Sequence, residues 1–283
     1  MKILVYGAGV LGTAYAARLH EKGHDVALLA RGARLAALRE RGVLLAEVGG
    51  SSIRRVDVPV VDSPAGHYDL TLVLVRAHQV DGVLESLAGG TGDVLFLLNW
   101  AAGPDPLTTA LGDRVLLGFP TFGGGVMEGD VVRYRAPSPL DKLIAMPIGE
   151  PGGGGSARVD GIVRMFRSAG IGAKTEPLMD AWLKTHAAFE VPLGLAVKAA
   201  GGPAALAERP DGVLAMVRGI RSSLGGLEGR PVPRAFGALR AVPERMLVPL
   251  FRAFLRGPAA VPLNTVTPAA FGELELLAEQ LRR

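Results

Sequence analysis

The sequence predicts an α/β chain, with a doubly wound parallel sheet in the N-terminal domain and only helices in the C-terminal domain. Three observations carry this prediction. A strand-like run at residues 2–6 leads through closely spaced glycines into a helix, and strands and helices then alternate as far as residue 177. Beyond Met179 only helical segments follow, separated by Pro and Gly. We therefore expect a first domain over residues 1–177 and a second over residues 178–283.

The first element is a buried strand at residues 2–6 that turns directly into a glycine-rich segment and a helix-prone stretch over residues 13–19. A glycine triplet placed between a strand and a helix is typical of dinucleotide binding. The first glycine permits the tight turn, the second lets the backbone approach a pyrophosphate, and the third lets the helix pack closely on the strand. Free N–H groups at the helix start face the phosphates. The candidate cofactor-binding residues are Gly7, Ala8, Gly9, Val10, Leu11 and Gly12.

A second strand at residues 25–30 ends at Arg31, about 20 residues beyond the glycine motif, where an acidic residue would hydrogen-bond the ribose of NAD. A guanidinium at this place can hold a 2′-phosphate through two parallel charge-assisted hydrogen bonds, whereas a carboxylate would repel it. The alternative interpretation is an ordinary strand, turn and helix with a solvated arginine. Because the strand, glycines, helix and Arg31 agree in order and spacing, we predict NADP as the cofactor.

Composition argues against several other classes of protein. The 283 residues are 49% hydrophobic, but no apolar run approaches the roughly 18 residues that a membrane helix needs. The first strand begins at Lys2 and carries the nucleotide motif, so we expect no signal peptide. With no cysteine there is no disulfide or thiolate site, and the five histidines lack the paired spacing with carboxylates that metal sites show. We predict no metal, no membrane association and a cytoplasmic location.

The formal net charge is +4, and the excess of arginine lies mainly toward the C-terminus. Neither a nucleic-acid motif nor interleaved aromatic residues accompany these arginines, so we interpret them as solvated faces of amphipathic helices. A basic nucleic-acid-binding module is the less favoured alternative. The arginines are Arg218, Arg221, Arg230, Arg234, Arg240, Arg245, Arg252 and Arg256.

The next elements follow the order expected of a parallel sheet with right-handed helical crossovers. We predict, in order, a helix over 33–41 closed by Gly42, short strands within 43–61, a strand over 68–75, a helix over 80–88, a strand over 94–98 and a helix over 105–111. Arg76 and Asn99 directly follow the two buried strands. They should therefore lie at carboxyl ends of strands, where such sheets bind ligands.

Residues 115–148 change to short strand-like pieces, among them 131–135 and 143–147, which we interpret as an antiparallel extension of the sheet. The remaining predictions for the first domain are a flexible glycine loop over 152–155, a helix over 159–169 and a strand over 173–177. The helices predicted for the second domain cover 180–200, 204–207, 213–224, 234–239 and 245–255.

Within this layout the sequence resembles the ketopantoate reductase (2-dehydropantoate 2-reductase) family nearly end to end. The glycine motif is shared with many dehydrogenases, whereas Trp182 two residues before Lys184 at the start of a helix is more specific. The resemblance implies a Rossmann-type first domain and a helical second domain similar to the C-terminal domain of 6-phosphogluconate dehydrogenase. The segments that carry it are 2–12, Arg31, 74–80, Asn99, 181–184 and 260–265.

The resemblance also implies roles for individual residues. Lys184 would be the general acid, because hydride transfer to a ketone leaves negative charge on oxygen that an ammonium stabilises and protonates. Asn99 would lie beside the nicotinamide, as a second catalytic and cofactor-binding candidate. Arg76 would lie near the adenosine end of the cofactor, where the family usually has lysine, and Gly123 is a further cofactor-binding candidate. The alternative for Lys184 is a helix-surface lysine that contacts only solvent.

The sequence departs from the family pattern on the substrate side. Ala188 and Pro192 stand where the family has asparagines, four and eight residues beyond the lysine, and Trp100 replaces a glycine. The family's later serine and glutamate have no clear counterpart, with Glu244 the nearest acid. An apolar site discriminates poorly between hydroxylated substrates, so we expect a carbonyl larger or more apolar than ketopantoate. The candidates to meet its anionic part are Arg234 and Arg245.

The leading hypothesis is an NADPH-dependent oxidoreductase that reduces a ketone, either a 2-keto acid or a larger, more apolar carbonyl, with Lys184 as the acid. One alternative is an authentic 2-dehydropantoate 2-reductase, and another is a non-redox protein on the same NADP-binding scaffold. The expected partner is a small carbonyl compound, with no nucleic acid and no membrane. The sequence leaves open the oligomeric state, for which a homodimer is a candidate, and the acidic partner of Lys184, for which Glu190 and Glu244 are candidates.

Overall fold

The computed structural model describes residues 1–121, 124–134, 145–257, 260, 263 and 268–282. The chain forms two compact units. The first contains Met1–Leu98 and Pro104–Met179, and the second contains Asn99–Gly103 and Asp180–Arg283. The observed boundary, after Met179, lies two residues beyond the predicted boundary after residue 177. In addition, the short segment 99–103 belongs to the second unit and not to the first.

The described residues form the following strands: β1 Lys2–Tyr6, β2 Asp25–Leu29, β3 Val43–Glu47, β4 Ile53–Val56, β5 Val60–Val61, β6 Leu70–Val73, β7 Asp93–Leu97, β8 Val115–Gly118, β9 Gly125–Glu128, β10 Val131–Tyr134, β11 Met146–Gly149 and β12 Ala173–Thr175. The helices are α1 Val10–Glu21, α2 Gly32–Arg41, α3 Val80–Leu87, α4 Asp105–Leu111, α5 Ala157–Ser168, α6 Met179–Ala200, α7 Pro203–Ala207, α8 Pro210–Gly225, α9 Ala235–Ala238, α10 Glu244–Arg256 and α11 Pro268–Gln280.

The main sheet of the first unit has the strand order β12-β11-β8-β7-β6-β1-β2-β5. All neighbouring strands in it are parallel except β8 and β11. Ile3 and Val5 of β1 join the core cluster that includes α1 and α5, whereas Leu4 is equally buried on the opposite face of the strand. Burial of both faces explains the near-continuous apolar runs of the sequence and confirms the predicted doubly wound sheet.

A second, smaller sheet has the order β4-β3-β10-β9. The predicted antiparallel extension of the main sheet is correct for β11, which pairs antiparallel with β8, but wrong for β10. β10 instead runs parallel to β3, with Val132 opposite Leu45. Val132 is fully buried in the core cluster shared with α1, and this long-range burial decides the pairing.

The second unit is all-helical in the part of the chain that the structure describes. Its main core joins α6, α7, α8 and α10 through residues such as Val197, Ile220 and Phe251. A smaller cluster joins Ala101 to α6 and α11. The sequence reading missed α11, and residues 143–144 of the predicted strand 143–147 lie outside the described residues.

Two of the C-terminal arginines, Arg221 and Arg252, bond backbone carbonyls of other segments, so the interpretation as merely solvated side chains is wrong for these two. Arg221 donates to the carbonyls of Leu239 and Val242, and Arg252 donates to that of Ala207. These carbonyls lie at the end of α7 and in the segment between α9 and α10, where helices leave carbonyl groups without intrahelical partners. Two further arginines form ion pairs, Arg218 with Glu244 and Arg256 with Glu208.

Candidate functional site

The glycine turn links β1 to α1 and has little free space on its protein side. A Cβ at Gly12 would lie 1.8 Å from the carbonyl oxygen of Gly7, so only glycine lets α1 approach the turn this closely. Gly7 itself has φ +113°, and a Cβ there would lie 2.5 Å from the carbonyl oxygen of Leu74. Gly9 is the N-cap of α1, and a Cβ there would meet no protein atom within 4 Å. Gly7 and Gly12 are therefore required by packing, whereas Gly9 leaves its outer side open for a ligand.

The turn lies where the strand order of the main sheet reverses. β1 lies between β2 and β6, and the N–H of Leu74 donates to the carbonyl of Tyr6 at 2.9 Å. Parallel sheets bind ligands outside the carboxyl ends of the strands at such a switch point. A cavity of about 290 Å³ opens there, lined among others by Tyr6, Arg31 and Gln79.

Arg31 lies between β2 and α2, at the N-cap position of α2, and lines this cavity. Its Nη2 donates to the hydroxyl of Tyr6 at 2.6 Å, and its guanidinium carbon lies 5.6 Å from the centre of the Tyr6 ring. The side chain is exposed overall, yet it is anchored on a buried tyrosine of β1. The structure thus brings Arg31 and the glycine turn to one cavity.

Arg34 is a second cationic residue of the cavity, and the sequence reading missed it. Its guanidinium donates to the carbonyls of Ala8 and Asp130 at 3.2 and 3.1 Å. Desolvation by burial lowers the pKa of the Arg34 guanidinium, while the Asp130 carboxylate opposes that shift. The spacing could have revealed it, because residues three apart in a helix lie on neighbouring parts of the same face.

The other candidate cofactor residues of the first unit are less well defined. Arg76 follows β6, and its backbone N–H donates to Gln79 Oε1 at 3.0 Å at the start of the turn that precedes α3. Val75 and Gln79, which come before and after Arg76 in the sequence, line the cavity. Gly123 lies outside the described residues.

Asn99 begins the short segment 99–103, which belongs to the second unit. Its Oδ1 is buried and accepts no hydrogen bond from the described residues. Trp100 is buried and its Nε1 donates to the carbonyl of Gly103 at 2.7 Å, so the indole closes the segment on itself. The N–H of Ala101 donates to Gln280 of α11 at 2.9 Å. The segment is thus fixed while its asparagine keeps an unused acceptor.

Lys184 lies in the second turn of α6 and is 37% exposed. Its Nζ lies 2.8 Å from Asp180 Oδ2, one helical turn earlier, and a Cβ at Gly103 would lie 3.8 Å from the same Nζ. Neither acid considered from the sequence pairs with it. Glu244 pairs with Arg218 and Arg221, and Glu190 lies near His186. Asp180 is the acidic partner in the described part of the chain, and the sequence reading overlooked it.

A second row on α6 contains Trp182, His186 and Glu190. The indole and imidazole rings stack with centroids 5.2 Å apart and an angle of 11°. His186 Nε2 lies 3.1 Å from Glu190 Oε2, but the geometry is not that of a hydrogen bond, and this buried oxygen accepts none from the described residues. Positions four apart share a helix face, so this row and Lys184 lie on different faces.

Ala188 and Pro192 occupy the two positions where the family has asparagines. Ala188 is fully buried in the main core of the helical unit. A Cβ at Gly219 of α8 would lie 3.2 Å from the Pro192 side chain, so the proline packs against that helix. These positions contribute apolar packing and no polar contact.

Comparison with known proteins agrees with the resemblance seen in the sequence. Residues 3–141 match the family model of ketopantoate reductase PanE/ApbA. The chain is 30% identical over 138 residues to a 2-dehydropantoate 2-reductase of Pyrococcus horikoshii, a match that covers 48% of this chain and 44% of that protein. Residues 3–141 thus belong to the ketopantoate reductase family. A second family member, from Archaeoglobus fulgidus, is 27% identical over 173 residues, 61% of this chain and 55% of that protein. The chain thus matches about half the length of these curated relatives.

Solved structures extend the likeness of fold over the whole chain. The 2-dehydropantoate 2-reductase from Geobacter metallireducens GS-15 has a TM-score of 0.68 at 20% identity, covering 100% of this chain and 99% of that one. D-mandelate dehydrogenase in its ternary structure with NADH and anilino(oxo)acetate has a TM-score of 0.71 at 15% identity, covering 100% and 99%. These similarities confirm the predicted fold class, a Rossmann-type domain followed by a helical domain.

Two further observations concern the described residues alone. Among them, no helix combines the length and apolar character needed to cross a membrane. No group of three or more His, Asp or Glu side chains among them has the arrangement of a metal site.

Proposed function

We propose that the chain is an NADPH-dependent oxidoreductase that reduces a ketone. The observation that carries this proposal is Arg31, a guanidinium at the end of β2 on the cavity that begins at the glycine turn. A cation at this place suits a 2′-phosphate, whereas NAD sites usually have an acid there. D-mandelate dehydrogenase, which shares this fold, was solved with NADH, so the fold alone does not imply NADPH, and in this proposal the side chain at the end of β2 carries the distinction.

The residues present fit a dinucleotide. Gly9 has open space on its outer side, and the N-terminus of α1 offers unpaired N–H groups to a pyrophosphate. Arg31 would hold the 2′-phosphate. Asn99 has a buried acceptor oxygen without a partner among the described residues, which suits the N–H of a carboxamide such as that of nicotinamide. When bound, NADPH supplies a hydride for a carbonyl carbon.

Lys184 supplies the proton in this proposal. Its ammonium can donate to the carbonyl oxygen as negative charge develops there, and such donors contribute roughly 10²- to 10⁴-fold to rate. Asp180 holds the ammonium at 2.8 Å and so restricts the positions that the long lysine side chain samples.

The substrate we propose is a 2-oxo acid with a larger or more apolar body than ketopantoate. Ala188 is buried in the helical core and Pro192 packs against α8, and neither side chain carries a polar group that could bind a substrate hydroxyl. The ternary structure of D-mandelate dehydrogenase contains anilino(oxo)acetate, an aryl-substituted oxo acid, on the same fold. Both observations support an apolar substrate side.

An authentic 2-dehydropantoate 2-reductase is the second candidate, because curated relatives carry that activity in their names. It requires polar groups for the hydroxyl of ketopantoate from residues other than 188 and 192. Turnover of ketopantoate with NADPH at a rate well above that of phenylglyoxylate, the oxo acid corresponding to mandelate, would favour this candidate.

The first test is coenzyme binding. We expect NADPH to bind much more tightly than NADH. Arg31→Ala should weaken the binding of NADPH by about 10- to 100-fold, because charge-assisted hydrogen bonds to a phosphate are lost. Arg39→Ala is the matched control, since Arg39 lies on the same helix but pairs with Asp62 outside the cavity. Equal affinities of the wild-type protein for both coenzymes would overturn the NADP assignment.

The second test is turnover of a panel of 2-oxo acids with NADPH. We expect Lys184→Met to lower kcat by about 10² to 10⁴, and Lys198→Met, farther along the same helix beside Glu275, to leave it unchanged. An unchanged rate for Lys184→Met would dismiss the acid role. NADPH binding with no turnover of any carbonyl would instead favour a non-redox NADP-binding protein.

Assembly and location belong to the same proposal. We propose a homodimer, which light scattering on the purified chain tests, and a cytoplasmic location, which accords with a sequence without cysteine. A monomer over the working concentration range, or recovery outside the cytoplasmic fraction, would reject the respective statement.

A further inference from the structure

The hydroxyl of Tyr6 joins two side chains at the rim of the cavity. It lies 2.6 Å from Nη2 of Arg31 and 3.0 Å from Oγ of Ser86 on α3. Ser86 Oγ also lies 3.0 Å from the carbonyl oxygen of Val83, within the same helix. Tyr6 is 4% exposed, so these contacts connect a cavity-lining arginine to the buried strand β1 and to α3.

The chemistry of the groups gives these hydrogen bonds one direction. A carbonyl can only accept and a guanidinium can only donate, whereas each hydroxyl has one hydrogen. Ser86 therefore donates to Val83, Tyr6 donates to Ser86, and the free lone pair of Tyr6 accepts from Arg31. Each member of this relay, defined as Arg31, Tyr6, Ser86 and the Val83 carbonyl, then has the partner it needs.

The relay orders Arg31 before any ligand binds. Arginine is a long side chain, and immobilising such a side chain on binding costs affinity. Arg31 contributes one N–H of its Nη2 group to Tyr6 and lies near the face of the ring, so its other N–H donors stay available for an anion. The Tyr6 hydroxyl restricts the movement of the Arg31 guanidinium and leaves the glycine turn unaffected.

We propose that Tyr6, supported by Ser86, is a positioning residue that pre-orders Arg31 for a phosphomonoester on the adenosine ribose, and that it thereby sets part of the preference for NADPH over NADH. This inference rests on the proposed function. A purely structural Tyr6 would affect both coenzymes equally, because both share the adenosine and pyrophosphate groups. Selectivity is therefore the property that distinguishes positioning from packing.

The experiment measures the dissociation constants of NADPH and NADH for wild type and Tyr6→Phe by calorimetric titration. We expect Tyr6→Phe to weaken the binding of NADPH by about 3- to 10-fold, because the Arg31 side chain is no longer ordered before binding. The binding of NADH should change by less than about 2-fold. Ser86→Ala should act in the same direction and more weakly. The control is Tyr15→Phe, which removes another buried tyrosine hydroxyl, one that contacts Met146 Sδ in the core of the same unit.

A truncated probe gives a second measurement. Adenosine 2′,5′-bisphosphate should lose affinity on Tyr6→Phe while AMP does not, since only the first carries the 2′-phosphate. The inference is overturned if wild type prefers NADPH and Tyr6→Phe keeps or raises that preference. Equal weakening of the binding of both coenzymes by Tyr6→Phe would overturn it as well. If wild type itself lacks the preference, the proposed NADPH specificity fails, and the inference fails with it.

Discussion

The two glycines of the turn at positions 9 and 12 should respond oppositely to the same substitution. Gly12→Ala places a Cβ 1.8 Å from the carbonyl oxygen of Gly7 and 3.0 Å from its carbon, both of them backbone atoms. Contacts below 3.0 Å are not tolerated by real Cβ atoms, so the turn and α1 must separate by at least about 1.2 Å. No flexible side chain is available to absorb that movement.

The expected cost follows from this displacement. Overpacking of a well-packed region costs about 1–3 kcal/mol, and a backbone clash belongs at the upper end, so we expect Gly12→Ala to lower the free energy of unfolding by about 2–3 kcal/mol. For a unit of this size that corresponds to a fall in Tm of roughly 4–12 °C. Gly9→Ala should change stability by less than about 0.5 kcal/mol, because its φ of −75° suits alanine and its Cβ meets nothing within 4 Å.

Urea unfolding followed by circular dichroism measures the stability loss of Gly12→Ala, and titration with NADPH measures the effect of Gly9→Ala on coenzyme binding. Gly9→Ala should fold normally but bind NADPH at least about 10-fold more weakly, because its methyl group occupies the side on which a pyrophosphate would approach. The reasoning would be refuted by a Gly12→Ala protein that unfolds at the wild-type urea concentration. It would also be refuted by a Gly9→Ala protein that is stable and binds NADPH normally.

Other predictions concern the ion cluster around Arg158, whose guanidinium bonds Glu150 and Asp93. Arg158→Met should lower the free energy of unfolding by about 2 kcal/mol, since both carboxylates lose a charged donor, and a wild-type urea midpoint would contradict this. The hydrogen bond from Arg158 holds the pKa of Glu150 below its ordinary 4.5. The ionised carboxylate therefore stabilises the fold above about pH 4.5, and this contribution is lost as pH falls through the lower folded pKa. Glu150→Gln should flatten the stability curve in that range, and identical acid limbs would contradict the assignment.

Features that depend on neighbouring residues were predicted more accurately than features that depend on residues far apart in the chain. The strand at Lys2–Tyr6, the glycine turn and the helix end at Gly42 depend on neighbouring residues and were predicted closely. The partner of β10 was not, because Val131 pairs with Leu44, which is far away in the chain. α11 was missed although Pro268 at its first position is typical of a helix start, and Gly272 inside it lowers the helix preference of the segment.

The candidate site divides in the same way. The sequence indicated Arg31 from its position after a strand and Lys184 through the family resemblance, but it did not show what either side chain contacts. Asp180 is one turn before Lys184 and could have been found from its spacing of four. Tyr6 reads as an ordinary strand residue, and only pairing of β1 between β2 and β6 brings its hydroxyl to Arg31 and Ser86.

By itself, then, the sequence determined most of the order of strands and helices and the glycine turn, because backbone preference and apolar periodicity act over a few residues. Its motifs also carried the resemblance to the ketopantoate reductase family. Tertiary structure alone decided that β10 joins β3, that Ala188 is buried in the helical core while Pro192 packs against α8, and that Arg31 is held by Tyr6. The physical reason is that burial and hydrogen bonding between distant segments depend on the whole set of packed neighbours, which no local pattern encodes.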